Sequence, residues 1–409
     1  MKKSLIALAV LGALSGAASA QSSVTLYGII DMILQWNEQG VNKAATGQPA
    51  NWSQESAWSI DSSFQSGSRF GLRGAEALGG NWAAVFTLEA GYDVDTGFSG
   101  NSGRLFGRKA YAGLRHNNFG TVALGRLAAP SSGTGDFDLW GPVDPFGTGW
   151  SFFGLQGTFI PSTTLREDNS IIWASPSWAG FKFAAMYSTN VNGQETAPSD
   201  TNTRAYNLGA NWTWGPLFVA ATYDVINYPG ATAAIPTCTA ASVVGCSDQK
   251  MLQVGATWDF KFLKVHGAYA DQSNISVVPT IAGVSPIIPG ASFLPTGAGN
   301  YNNTAWMLGV SVPLFGGSLL ASYQYSDADN IQPAVGTAGS WSTEPDYSVW
   351  GIGYSYPFSR RTNMYIGYGQ REWDGSVSSF GGATVPASLS QVSQAFDRSQ
   401  FAVGIRHVF

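Results

Sequence analysis

Charge is what this sequence has least of. Asp, Glu, Lys and Arg make up 11% of its 409 residues, less than half of the roughly 25% carried by ordinary soluble domains. So little charge cannot cover a large water-facing surface, which argues against a cytosolic enzyme. The net charge is −5 and no Lys/Arg cluster exists, so a nucleic-acid partner is excluded. There are two cysteines, too few to complete a zinc shell, so no metal site is expected. Beyond residue 20 no run of 18 or more apolar residues occurs, so no transmembrane helix is expected. Disorder is excluded as well, because 44% of the chain is hydrophobic and disorder requires low hydrophobicity with high net charge.

What is abundant is aromatic side chains and glycine. Phe, Tyr and Trp reach 13%, with 23, 16 and 15 residues, and there are 50 glycines, well above the usual share of about 7%. The N-terminus reads as an export leader over residues 1–20. Lys2 and Lys3 form its positive end, Leu5 to Leu14 its apolar stretch, and Ala18-Ser19-Ala20 a small-residue cleavage site. The mature chain is then 21–409, with a net charge of −7 once Lys2 and Lys3 are gone. In an oxidising compartment Cys238 and Cys246, eight positions apart, are expected to form a local disulfide; two free thiols are the alternative.

The mature chain is a succession of short segments with period two. Tyr206, Leu208, Ala210, Trp212 and Trp214 share one face, opposite Asn207, Gly209, Asn211 and Thr213. Leu252, Val254, Ala256, Trp258 and Phe260 repeat the pattern, as do Trp350, Ile352, Tyr354 and Tyr356. Period two with one apolar face marks a half-buried strand. A soluble sandwich would alternate likewise. Three features favour a membrane barrel: aromatics at the ends of the apolar faces, Gly/Ser/Thr/Asn on the other face as in a wet lumen, and connections alternating between short and long. Short turns fall near 74–81, 115–120, 175–180, 214–216, 259–262, 313–317 and 357–362. Long loops fall near 37–56, 95–103, 128–165, 191–202, 228–249, 274–299, 329–344 and 375–396. Seven turns and eight loops join sixteen strands. The expected fold is therefore all-β, a 16-stranded antiparallel transmembrane β-barrel.

The last strand puts Phe401, Val403, Ile405, His407 and Phe409 on one face and ends on the aromatic. Five segments carry a family resemblance: Ser23-Val-Thr-Leu-Tyr-Gly-Ile-Ile-Asp31, Ser68-Arg-Phe-Gly-Leu-Arg-Gly-Ala-Glu-Ala-Leu-Gly-Gly80, Gly107-Arg-Lys-Ala-Tyr-Ala-Gly-Leu114, Phe119-Gly-Thr-Val-Ala-Leu-Gly-Arg126 and Gly404-Ile-Arg-His-Val-Phe409. As a set, spanning the mature chain, they resemble the general trimeric porins of Gram-negative outer membranes. The resemblance implies a homotrimer of barrels, with the third outer loop folded inward to narrow each pore. It implies passive diffusion of ions and small hydrophilic solutes, contact with outer-membrane lipid and lipopolysaccharide, and no cofactor.

A pore selects by width, lining charge and the field at its narrowest zone. Arg69 alternates with Phe70 and Leu72, so it is expected to face the lumen with Arg73. Arg108 is expected to share a lumen face with Ala110 and Ala112, opposite Tyr111. Arg166 is expected to share one with Asp168 and Ser170. Arg126 matches a constriction arginine of the family in Leu124-Gly-Arg126. Parity nevertheless puts it beside Val122 and Leu124, unless a bulge at Gly125 re-aims it. Facing this basic wall, the third loop holds Asp136, Asp138 and Asp144 and no Lys or Arg over 128–165. Asp144-Pro-Phe-Gly147 resembles the acidic tip of the family's constriction loop. Acid on the loop opposite arginine on the wall would set a transverse field; the alternative is that these aspartates cap turns. The loop's aromatics (Phe137, Trp140, Phe146, Trp150, Phe152, Phe153, Phe159) admit a substrate-selective channel with an aromatic slide. Remote charge is screened beyond about 10 Å in 0.1 M salt, so the local arginines are expected to give a weak anion preference.

Two other classes are less consistent with the residues. An enzyme needs a nucleophile with a base and an orienting acid, and His116, His266 and His407 show no such grouping. A non-conducting adhesin barrel would need longer loops and a plugged or very narrow lumen.

Overall fold

A computed structural model of the protein describes residues 23–42, 52–147, 149–155, 165–197, 199–229, 248–276, 300–329, 346–374, 379–380, 383–384 and 397–409. The leader, Cys238, Cys246 and Phe159 lie outside them. In chain order the strands are β1 (Ser23–Asn42), β2 (Trp52–Ser62), β3 (Arg69–Gly79), β4 (Trp82–Gly91), β5 (Lys109–His116) and β6 (Gly120–Leu127). After the longest described loop come β7 (Glu167–Ala174), β8 (Phe181–Ser188), β9 (Arg204–Trp214), β10 (Leu217–Asn227), β11 (Gln249–Asp259) and β12 (Lys264–Ser276). The chain continues through β13 (Asn300–Leu314), β14 (Gly317–Asp329), β15 (Asp346–Pro357) and β16 (Thr362–Asp374). A two-residue hairpin, β17 (Ser379–Phe380) and β18 (Ala383–Thr384), precedes the closing strand β19 (Arg398–Val408).

Every barrel strand pairs antiparallel with its sequence neighbour, and β19 returns to β1 from Ile29↔Val408 to Gln39↔Arg398. β1 pairs with β3 over Ser23–Ile29 and with β2 over Met32–Asn42. β2 and β3 are thus two halves of one barrel strand, and the circuit counts sixteen. Closure removes sheet edges, so backbone groups find partners within the wall, as a hydrocarbon surround requires. The final residue completes the seam: Gly28 and Phe409 exchange both backbone hydrogen bonds at 3.1 Å. The Phe409 ring lies on Gly28, where any Cβ would collide with it.

The expected turns and loops fall at opposite ends of the barrel. Each of the seven short turns carries or adjoins an exposed ring: Trp82, Phe119, Trp178, Trp214, Phe262, Phe315 and Phe358. Together they form the aromatic girdle of one membrane interface. Between the ends, Leu26, Leu72, Leu124, Leu208, Val254, Leu308, Ile366 and Ile405 stand exposed. In water such a belt would drive aggregation; against lipid it is the favoured surface.

Two departures from regular strand shape the lumen. Between β2 and β3, residues 63–68 turn inward. They are held by Ser63 N–H to the Asp31 carbonyl (2.9 Å), Ser66 N–H to the Asp31 carboxylate (2.6 Å) and Ser68 N–H to Ser63 Oγ (2.8 Å). In β6 the register with β7 slips between Gly125 and Leu127. Gly125 sits at φ +141°, a conformation open to glycine and strained for other residues.

One orientation is the reverse of the expectation. On β5 Leu114 is exposed on the outer face, so Ala110 and Ala112 point outward with it. Tyr111 and Lys109 point inward and both bond Asp136 of the third loop. Small alanines on the lipid side and a lumen-facing tyrosine inverted the hydropathy cue.

Candidate functional site

The third outer loop leaves β6 at Ala128 and returns at Arg166, and its path crosses the lumen. Its apolar side chains lie on glycines of the far wall. Leu139 lies over Gly209 of β9, Trp140 and Val143 over Gly255 of β11, and Pro145 over Gly309 of β13. Trp150 and Phe153 cover Gly351 and Gly353 of β15 and Gly367 and Gly369 of β16. A Cβ at these seven positions would sit 2.5–3.1 Å from the loop atoms, too close for packing without displacement. Trp140, Val143 and Leu155 also pack with Ala220, Ala268, Ala305 and Met307 in one buried cluster. This part of the lumen face is therefore dry, not wet as its Gly-rich composition implied.

Polar contacts fix the same path. Asn211 Nδ2 donates to the Leu139 carbonyl (3.1 Å), and His266 Nδ1 meets the Val143 carbonyl (3.0 Å). Ser322 Oγ and Gln324 Nε2 both donate to the Phe153 carbonyl, at 2.9 and 2.7 Å. The loop then reaches the inward segment 63–68. Trp150 and Ser151 N–H both donate to the Phe64 carbonyl, at 2.6 and 3.1 Å. The Phe64 ring stacks on Tyr365 and meets Trp150 and Phe153 edge-on. That receiving segment had no signal in the sequence beyond a serine-rich stretch.

The loop's acids divide by role. Asp138 accepts backbone N–H bonds from Gly133 (2.8 Å), Trp140 (3.1 Å) and Gly141 (2.7 Å). Burial raises its pKa to about 6 against the pull of these donors. Asp144 is buried and accepts from Phe146 N–H (2.8 Å) and Leu155 N–H (2.9 Å). Both carboxylates organise turns within the loop, the alternative role expected of them, and Asp138 in addition borders the opening in front of the wall. Asp136 is the loop acid that does face it: Lys109 Nζ lies 2.6 Å away and Tyr111 OH donates at 2.7 Å. The expectation for the aromatics is corrected. Trp140, Phe146, Trp150, Phe152 and Phe153 are buried anchors, and Phe137 alone of the described rings in this loop borders open space.

The opposite wall is built around Glu89 of β4, which is almost completely buried. Arg108 Nε donates to it at 2.8 Å, Lys109 Nζ lies at 3.7 Å, Arg69 Nη1 at 4.0 Å, and Tyr27 OH donates at 2.9 Å. Arg108 precedes β5 and reaches Glu89 by lying against Gly67 and Gly91. A second carboxylate, Asp168, takes Arg126 at 2.6 Å and Arg104 at 2.7 Å. Arg126 also donates from Nε to the Gly107 carbonyl (2.8 Å), a reach permitted by the bulge at Gly125. Arg166 is half-buried, with no carboxylate in salt-bridge range among the described residues. Burial and the like charges of Arg108, Arg126 and Arg69 hold its pKa well below that of a free arginine. Six cations (Arg69, Arg104, Arg108, Lys109, Arg126, Arg166) thus meet three carboxylates (Glu89, Asp136, Asp168). Lys109 and Arg104 were not among the expected wall residues. Lys109 was hidden by the inverted face of β5, and Arg104 lies in a loop.

Below the cluster, a cavity of about 1160 Å³ opens between this wall and loop residues 136–139, lined also by Arg73, Arg115, Lys182 and Arg361. The histidines lie elsewhere. His116 packs between Trp82 and Phe119, and His407 meets Thr362 on the outer face. His266 has a serine neighbour the sequence did not reveal, Ser311 Oγ at 2.9 Å, but its other nitrogen faces a carbonyl, not an acid.

A closed barrel with a lipid-facing belt, crossed inside by a loop that faces a charged wall, defines a channel of the outer membrane. Comparison with known proteins places it more narrowly. The family model described as Gram-negative porin matches residues 7–376. An outer membrane porin protein of Bordetella pertussis is 32% identical over 380 residues, covering 89% of this chain and 93% of the relative. Outer membrane porin protein 32 of Delftia acidovorans is 30% identical over 413 residues, covering both chains fully. A solved anion-selective porin from Comamonas acidovorans superposes with a TM-score of 0.66 at 23% identity, over 95% of this chain and 100% of that one. The chain belongs to the Gram-negative porin family. It is an outer-membrane channel for passive diffusion, not an enzyme.

Proposed function

We propose that the narrowest zone of the pore lies between the wall bearing Arg69, Arg108, Lys109, Arg126 and Arg166 and the Asp136–Phe137 edge of the third loop. The channel passes ions and small hydrophilic solutes with a weak preference for anions. The observation that carries this reading is the excess of six cationic groups over three carboxylates, with Arg166 lacking a counter-ion among the described residues. Fixed charge at a low-dielectric constriction outweighs remote, screened charge of the opposite sign. The cation-lined cavity below extends the same bias, and the anion-selective porin of similar fold supports it. Asp144 is buried and acts on loop shape, so its charge weighs little on permeation.

The working unit is a homotrimer in contact with lipopolysaccharide. It is formed after removal of residues 1–20 and stapled in one loop by Cys238 and Cys246. Current through the purified trimer in a planar bilayer tests the reading. Conductance stepping in threes, with an anion-signed reversal potential in a salt gradient, is expected. A folded trimer without conductance would favour an adhesin, and a cation-signed potential would contradict the charge argument.

A further inference from the structure

Asp31 of β1 is 0% exposed, so it does not meet a passing ion. A buried carboxylate costs free energy unless it is bonded and its charge is matched, and the place of Asp31 in the fold supplies both. β1 pairs with β3 as far as Ile29 and with β2 from Met32 onward. At Ile30 and Asp31 that pairing lapses, where residues 63–68 turn into the lumen. Asp31 fills the lapse with main chain and side chain alike. Its carbonyl accepts from Ser63 N–H (2.9 Å), and its own N–H donates to Ser68 Oγ (3.2 Å). One carboxylate oxygen accepts from Ser66 N–H (2.6 Å) and the other from the Tyr365 hydroxyl. Arg406, its register partner on β19, brings the opposite charge. Within the bend Ser63 takes φ +71°, a conformation uncommon outside glycine and kept only where the surroundings over-determine it.

The bend held in this way touches both sides of the opening. Toward the third loop it presents Phe64, whose carbonyl takes the Trp150 and Ser151 N–H groups and whose ring packs on Trp150, Phe153 and Tyr365. Gly149 of the loop lies on the Gln65 carbonyl, where any Cβ would collide. Toward the charged wall the bend presents Gly67. Its carbonyl accepts from Arg69 Nε (2.7 Å), and a Cβ placed on it would stand 2.7 Å from the Arg108 guanidinium. Phe64 thus holds the loop, and Gly67, three residues on, meets two arginines of the wall. Ser66, between them, is the residue whose N–H the Asp31 carboxylate takes.

We infer that Asp31 is a positioning residue of the constriction, which sets the aperture through Phe64 and the placement of Arg69 and Arg108 through Gly67. It acts on permeation through these groups and not through its own buried charge. The inference rests on the constriction proposed above and adds the element that joins its two sides. A bend fixed by one carboxylate holds the loop and the arginines in register with each other.

Purified trimers in a planar bilayer test it, with single-channel conductance and reversal potential read beside Tm. Phe64→Ala breaks the loop contact and should raise conductance more than it moves the reversal potential. Gly67→Ala displaces the flexible end of Arg108 and should do the reverse. Asp31→Ala should do both at once, with conductance above the parent's and a reversal potential displaced toward zero. Asp31→Asn keeps an acceptor for Ser66 N–H and an amide that can donate to the Tyr365 oxygen, so it should restore most of both. An Asp31→Ala trimer with a lowered Tm but parental conductance and reversal potential would overturn the inference and leave Asp31 a support of the wall alone. A reversal potential shifted as far in Asp31→Asn as in Asp31→Ala would also overturn it, because the charge itself would then be acting. If Asp31→Ala yields no trimer, Tyr365→Phe decides, since it removes one carboxylate bond and keeps the ring on Phe64. Smaller shifts of both readouts in the same directions support the inference, and parental values overturn it. A cation-signed potential in the unmodified trimer would contradict the charge reading of the constriction, while the paired shifts in Asp31→Ala would still report on Asp31.

Discussion

The two sides of this lumen are built from opposite materials. From β9 to β16 the inner face offers glycine, and the third loop lies on it through Trp140, Val143, Trp150 and Phe153. From β3 to β7 the inner face offers ionised groups, and the loop touches it through Asp136. The first side fixes where the loop is; on the function proposed above, the second is what acts on a passing ion. On that reading, selectivity can change through the charged side chains without disturbing the packing that holds the loop.

Breaking the charged side should cost the most stability. Glu89→Ala strands Arg108 in a buried position, a loss of about 3–5 kcal/mol, read as a large fall in trimer melting temperature. An unchanged Tm would mean the cluster is solvated. On the glycine side, Gly351→Val drives a side chain into Phe153. Overpacking of this kind costs about 1–3 kcal/mol, and lifting the loop should change single-channel conductance while the trimer still forms. Conductance identical to the parent would show that the loop does not set the aperture.

Selectivity should follow the two sides in a third way. Lys109→Gln removes a wall cation and releases Asp136, so the reversal potential should move toward cations. Asp144→Asn, within the loop's own turn, should leave it unmoved. Equal shifts in both would erase the distinction between wall and turn acids. The smallest effect is a pH dependence. Asp138 has its folded-state pKa raised to about 6 from 3.8, so its contribution to stability is greatest below the lower value. That contribution declines as pH rises through the window between them and is flat above it. The Tm difference between Asp138→Asn and the parent should therefore widen in favour of the variant from pH 4 to pH 7.

How far the sequence revealed all this depended on which property each element expresses. Strand number and the alternation of turns and loops were legible, because hydropathy period and turn residues encode them; the inward loop was implied by the family resemblance. The interruption at 63–68 was not, since Ser-rich segments fit strand and bend alike. β5 misled because Tyr111 is aromatic yet faces Asp136, while Ala110 and Ala112 fit either side. The glycine track was counted but not understood: glycine carries no hydropathy sign, and the loop residues that cover it are 70 or more positions away from the glycines they touch. Asp138 and Asp144 were named, but whether an aspartate caps a turn or faces a pore depends on local N–H groups that only the folded loop presents. Asp31 meets Ser66 and Tyr365 at separations of 35 and 334 residues, beyond any spacing motif.

The most direct test of the central claim is the reversal potential of the unmodified trimer and of Arg166→Ala, measured in the same salt gradient. The charge arrangement predicts an anion-signed potential in the first and a value displaced toward zero in the second. An identical potential in both would contradict the assignment of the constriction to this wall.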